Sequence, residues 1–320
     1  MDAGVHLPLI DFDGEGFSYR RLAETVDAAR ECGFAAISAN GHFLFSAPWL
    51  DGLTALAAVV ERSGGMKLVT TLALATLRGP VPLAKSLSAL DILSGGRMIA
   101  GVGPGSSRAD YEALRVPFEE RWQRFDEAVR LLKALLQPGA AADSGIYYAT
   151  PAAGLSPSPQ QRRGVPLWIG SWGSPAGLRR VAGLGDGWLA SAYNTTPEAF
   201  AAAMTLLGAE LETRNRPTGD FPHALVTMWA CITNKHSDAE RVLSDVVGPL
   251  VKHVVYSGSS ISSSPAPAAR ASGAAPAQSR AARLASQVLP EPGPPRMTSR
   301  LHCRASLSAS ASSAAPSRAS

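Results

Sequence analysis

Through its first 256 residues the chain alternates short apolar runs with longer stretches of helical period, and this alternation constrains the fold more than any other feature. Seven runs read as strands: Val5–Leu9, Ala35–Ser38, Lys67–Leu74, Arg97–Val102, Pro166–Gly170, Gly187–Ser191 and Ala224–Thr233. Between them, apolar residues recur at the spacing of one helix face. Leu22, Val26 and Ala29 mark a helix over Tyr19–Cys32. Leu53, Leu56, Val59 and Val60 mark Leu50–Arg62, and Leu83, Leu87, Leu90 and Leu93 mark Val81–Leu93. Trp122, Phe125, Val129, Leu132 and Leu136 mark Glu119–Leu136. Punctuation agrees: Ser18 precedes the first helix, Ser94-Gly95-Gly96 follows the third, and Ser174-Pro175 opens another. Strands alternating with helices imply parallel strands joined by crossovers. Seven of them before residue 256 favour a closed α/β architecture, the (β/α)8 or TIM barrel, over an open doubly wound sheet.

Two stretches break the pattern. Pro138–Gly164 is rich in Pro, Gly and Ala, with Ile146-Tyr147-Tyr148 read as a short strand. It exceeds an ordinary connection, so a hairpin or cap over one barrel end is expected. After Tyr256 the chain holds no aromatic residue, and Ser, Ala, Pro and Arg dominate. The expected organisation is a barrel over 1–256, incomplete because its eighth strand and last helix are not recognisable, and a disordered tail over 257–320. The tail vocabulary matches out-of-frame translation of GC-rich coding sequence. A gene with an intact frame through codon 256, shared by close relatives, would remove that idea.

Charge follows the same division. The whole chain carries +4, but Ser257–Ser320 holds seven Arg against one acid, Glu291, leaving the first 256 residues at −2. A nucleic-acid partner for the whole protein therefore loses its main support. No run of about 18 apolar residues suggests a membrane span, and no signal-peptide pattern opens the chain, so a cytoplasmic location is expected. Cys32, Cys231 and Cys303 lack metal-ligand spacing, and no metal site is expected. The acid pairs Glu119-Glu120 and Asp126-Glu127 read as the solvated face of an amphipathic helix.

In a parallel barrel, ligand groups sit on loops that follow strand C-termini. Three such loops carry chemistry. The first, Ser38-Ala39-Asn40-Gly41-His42-Phe43, offers Asn40 and His42; the imidazole can bind a ligand or move a proton near neutrality, or it is a loop histidine without a role. The second, Gly101-Val102-Gly103-Pro104-Gly105-Ser106-Ser107, lets backbone approach a ligand at Gly103, Gly105 and Ser106, or it is a tight turn. The third runs from Gly170 through Ser171, Trp172, Gly173 and Ser174 into Pro175. Unpaired amides, a helix dipole and two hydroxyls there suit a phosphate, although an ordinary Ser-Pro cap has the same sequence.

Thr76-Leu77-Arg78-Gly79-Pro80, Ala84-Lys85 and the run from Leu90 to Gly105 resemble the central signature of luciferase-like monooxygenases. Val116–Trp122, Phe125–Ala128, Pro166–Gly170, Ser174-Pro175-Ala176 and Gly185–Trp188 are similar to further landmarks of that family. The resemblance covers residues 1 to about 250. It implies a TIM barrel that binds FMN or the related deazaflavin coenzyme (F-420) across the strand ends. It implies an oxidoreductase acting on a small organic substrate: a flavin-dependent monooxygenase as the first expectation, with a flavin reductase as electron donor, and a deazaflavin-dependent reductase or dehydrogenase as the alternative. An inactive, truncated barrel is the third reading. The resemblance also implies that Ser171–Ser174 meets the cofactor phosphate, that His42 lies near the reactive ring, that a backbone bulge around Ala73-Leu74-Ala75 faces the ring, and that the chain forms a homodimer. Two departures shape these expectations. Gly41 stands where members commonly carry an aspartate before the histidine, so no carboxylate is expected to orient His42. Ser106 and Ser107 stand where dehydrogenases often carry an acid, which favours the monooxygenase.

Overall fold

The computed structural model describes residues 2–227, apart from 12, 13, 15, 46, 138, 140–144, 151–153, 193 and 194. Among the described residues, eight strands form one sheet: β1 (Gly4–His6), β2 (Ala36–Ala39), β3 (Lys67–Thr70), β4 (Ala73–Leu74), β5 (Met98–Gly103), β6 (Leu167–Ser171), β7 (Gly187–Ser191) and β8 (His223–Val226). They run β1-β2-β3-β5-β6-β7-β8, with β4 also on β5, and every named pairing is parallel. The helices are α1 (Tyr19–Glu31), α2 (Gly52–Val59), α3 (Ala75–Arg78), α4 (Pro80–Leu93), α5 (Arg108–Ala113), α6 (Arg121–Leu135), α7 (Pro175–Leu184) and α8 (Pro197–Glu212). Successive parallel strands with intervening helices make this a TIM-barrel fold, its described edges being β1 and β8. The end of the predicted Ala224–Thr233 strand, the stretch where no eighth strand or last helix is recognisable, and the tail lie outside the described residues. Among the described residues, no helix is long and apolar enough to cross a membrane.

Local chemistry explains the elements. Ser18 accepts a hydrogen bond from the Arg21 amide, and Ser174 from the Gly177 amide, so both act as N-caps. α6 buries Phe125, Ala128, Val129 and Leu132 completely, at i, i+3, i+4 and i+7. Each large side chain among them contributes roughly 1.5–3 kcal/mol.

The predicted Lys67–Leu74 strand is two. Leu68 and Val69 pair with Met98 and Ile99, whereas Ala73 and Leu74 pair with Val102 and Gly103. The β3 side therefore takes one more residue than β5 over the same step, which is a bulge. The Thr71–Leu72 peptide within it is cis. The bulge lies just before Ala73 rather than around Ala73–Ala75.

The 138–164 insertion differs more. Ile146–Tyr148 is not a strand. Their amides donate to the Glu127 carboxylate at 2.9, 2.8 and 2.9 Å, so they have no ladder to join. Further on, Gln161 donates its amide (2.9 Å) and its side-chain NH2 (2.7 Å) to Asp91, and Ser88 Oγ donates to the Pro157 carbonyl at 2.8 Å. The described parts of the insertion are thus fastened along α6 and α4. Tyr148 reaches toward the strand ends, where its hydroxyl donates to the Thr76 carbonyl at 2.7 Å.

Candidate functional site

Because all named strand pairs are parallel, the loops after β2, β4, β5 and β6 share one rim. His42 stands on the loop after β2. Its Nδ1 is 3.2 Å from Oδ2 of Asp110, and the other Asp110 oxygen accepts from the Leu44 amide at 2.6 Å. Asp110 is almost fully buried and His42 largely so. The ring packs against Phe45 and Trp49, with centroids 5.2 and 4.8 Å away. Trp49 Nε1 is buried without a partner among the described residues. The carboxylate on Nδ1 makes that nitrogen the donor and leaves Nε2 as the basic one.

This corrects the expectation drawn from Gly41. A carboxylate does orient His42, but it arrives through space from α5. Ser107 makes that possible: as N-cap it accepts from the Asp110 amide at 3.2 Å and sets the helix start. Asp110 is the first acid after the β5 glycines, three residues beyond Ser107.

Asn40 and Ala73 line a narrow pit of about 10 Å3 together with Gly41, Thr70, Leu72 and Arg78. That volume suits about one water. Gly103 ends β5, and Gly105 follows at φ +87°, a conformation that disfavours a side chain. A Cβ on Gly103 would lie 2.5 Å from Leu72 Cδ1, and one on Gly170 would lie 2.6 Å from the same atom. Both glycines thus make room for Leu72. Gly101 lies inside β5, where a Cβ would come within 2.0 Å of the Thr70 carbonyl oxygen. Ser106 is exposed on the loop.

After β6, Trp172 is half exposed and Gly173 takes φ +88°. Ser171 Oγ accepts from the Gly173 amide and Ser174 Oγ from the Gly177 amide, both at 3.2 Å. Each hydroxyl keeps its own proton to donate, and the start of α7 adds positive potential. This donor set fits an anion such as a phosphate. Arg180 is committed elsewhere, to Asp126 at 2.6 Å and to the Trp122 ring.

His6 escaped sequence reading because it sits inside an apolar strand run. Its Nδ1 is 3.0 Å from Ser38 Oγ and its Nε2 3.0 Å from Asn40 Oδ1. Burial pushes its pKa down to about 4 against the opposing pull of Asn40. Among the acid pairs the correction falls on Glu127, which is buried. Glu127 is 7% exposed and serves the insertion, Asp126 pairs with Arg180, Glu120 with Arg124 and Glu119 with Arg108.

The sequence profile of the luciferase-like monooxygenase family matches residues 5–297. The chain belongs to the luciferase-like monooxygenase family. Among curated proteins, the F420-dependent glucose-6-phosphate dehydrogenase of Gordonia bronchialis is 29% identical over 187 residues, 55% of this chain and 54% of that one. The enzyme of the same name from Nocardia farcinica is 30% identical over the same number of residues and the same shares. The chain thus spans about half the length of these relatives. Among solved structures of this fold, a monooxygenase from Streptomyces bottropensis superposes with TM-score 0.68 at 21% identity, covering 80% of each chain. An F420-dependent secondary alcohol dehydrogenase superposes with TM-score 0.66 at 17% identity, covering 80% of this chain and 79% of that one. Luciferase-like members are oxidoreductases.

Proposed function

We propose that the chain is a deazaflavin-dependent oxidoreductase that exchanges a hydride with a small organic substrate. The observation that carries this reading is the His42–Asp110 pair on the rim. A bound deazaflavin supplies a ring carbon that accepts or gives a hydride. Oxidising an alcohol also releases a proton, and His42 Nε2 is the base suited to take it. Asp110 stabilises the imidazolium that results and holds the ring in one tautomer. Ser171, Gly173 and Ser174 would hold the cofactor phosphate, with Gly103, Gly105 and Ser106 nearby on the rim; Asn40 and Ala73 would face its ring. The similarity to F420-dependent dehydrogenases supports the same choice.

An FMN-dependent monooxygenase fed by a flavin reductase is the second reading, favoured by the family profile itself. The phosphate donors would serve either cofactor. The test is fluorescence titration of the folded chain with the deazaflavin coenzyme and with FMN. Tighter deazaflavin binding, followed by coenzyme reduction with an alcohol panel, is the expected result. Tighter FMN binding with substrate-dependent O2 consumption selects the second reading. A folded sample that binds neither rejects both.

A further inference from the structure

Along β2, Ile37 and Ala39 are fully buried, and Ala39 points at Gly52 of α2. By strand alternation Ser38 and Asn40 face the other way, into the barrel, beside His6 of the neighbouring strand, which pairs in register with Ser38. Three neutral side chains meet the His6 ring. Ser38 and Asn40 lie 3.0 Å from its two nitrogens, and Thr71 Oγ1 lies 3.5 Å from Nδ1.

The protons in this cluster can be placed. The Ser38 hydroxyl has one proton and two candidate acceptors: His6 Nδ1 at 3.0 Å and the Val5 carbonyl at 3.5 Å. Asn40 Oδ1 has no proton to give, so His6 Nε2 must be the donor and Nδ1 is left to accept from Ser38. A neutral imidazole then carries its proton on Nε2 and donates to Asn40 Oδ1. With its oxygen thus engaged, the carboxamide cannot flip without setting two N–H groups against each other. Its NH2 group has no partner among the described residues, and Asn40 lines the pit at the rim.

We propose that His6 is a positioning residue that fixes the Asn40 carboxamide, so that its NH2 donates to an acceptor oxygen or nitrogen on the ring of the bound cofactor. This rests on the cofactor reading above and adds to it a residue from β1. Its low pKa keeps the imidazole neutral across physiological pH, which the arrangement requires.

Two measurements test this. Long-range 15N NMR of the ligand-free chain reads the His6 tautomer: protonation on Nε2 is expected, and protonation on Nδ1 overturns the proposal. Titration with the deazaflavin coenzyme and with FMN then compares variants. Asn40→Ala should raise Kd about tenfold, and His6→Phe about three- to tenfold with the same change in the bound absorption spectrum. His6→Gln, which still offers an N–H, should recover most of the loss. The double variant His6→Phe/Asn40→Ala should bind no more weakly than Asn40→Ala, because one residue acts through the other. Additive losses, or wild-type binding in His6→Phe, overturn it. Should His6→Phe fail to fold, His6→Gln and the tautomer decide. If the wild type binds neither cofactor, the cofactor reading fails by itself, and the NMR measurement still upholds or overturns the placement of Asn40.

Discussion

His42 and Asp110 are 68 residues apart in sequence and 3.2 Å apart in space, joined across the rim between the β2 loop and α5. The contact decides which imidazole nitrogen is basic. It also ties down the loop, because the same carboxylate holds the Leu44 amide.

Asp110→Asn should therefore lower kcat of the proposed hydride transfer about 10- to 100-fold, the loss of one charge-assisted contact in the transition state. Cofactor Kd should stay within about twofold. Steady-state kinetics beside a binding titration separate the two; an unchanged kcat would remove Asp110 from the proton-handling role.

Glu127 is a buried carboxylate satisfied by three backbone amides. Glu127→Ala should destabilise the chain by about 2–4 kcal/mol, since those donors lose their partner. Gly145→Ala should also destabilise it, because a Cβ there would meet the Glu127 carboxylate at 2.1 Å. Urea denaturation followed by circular dichroism measures both, and wild-type midpoints would contradict the fastening role.

Gly101→Ala should be among the most damaging small substitutions. The new methyl would press on the Thr70 carbonyl, which belongs to backbone and cannot rotate away. A loss of about 3 kcal/mol or more, or failure to accumulate soluble protein, is expected. A wild-type melting temperature would contradict the close approach of β3 and β5.

Stability should depend on pH through His6. Its folded pKa, near 4, lies below the ordinary 6.5. The unfolded chain then binds more protons at this site between those values, so its contribution is full above about pH 6.5 and fades as pH falls toward 4. The loss is roughly 3 kcal/mol at most. His6→Gln should flatten the difference between denaturation at pH 7 and at pH 5, while the carboxylates affect both proteins alike. Parallel curves for the two proteins would place the His6 pKa elsewhere.

Much of the barrel was legible because its signals are local. Ser18 and Ser174 cap the helices they precede, and the period of Phe125, Val129 and Leu132 marks the face that is buried. What escaped depends on partners distant in sequence. Glu127 reads as a solvated acid until the amides of Ile146–Tyr148 arrive to satisfy it. Asp110 looks like an ordinary helix residue until His42 folds against it. The bulge before Ala73 is invisible in an apolar run, since composition does not record register. His6 hid for a related reason: alternation along a short strand announces a wall, whereas the polar lining of that wall appears only when β2 is laid beside it.

Leu72 has a consequence for anything that settles on the rim. Its side chain fills the space left by the missing β-carbons of Gly103 and Gly170, on two adjacent strands, while staying partly open from above. The space beside those two strands is thereby filled with hydrocarbon. Whatever met the chain at that point would touch a leucine side chain rather than the bare backbone that two glycines otherwise leave.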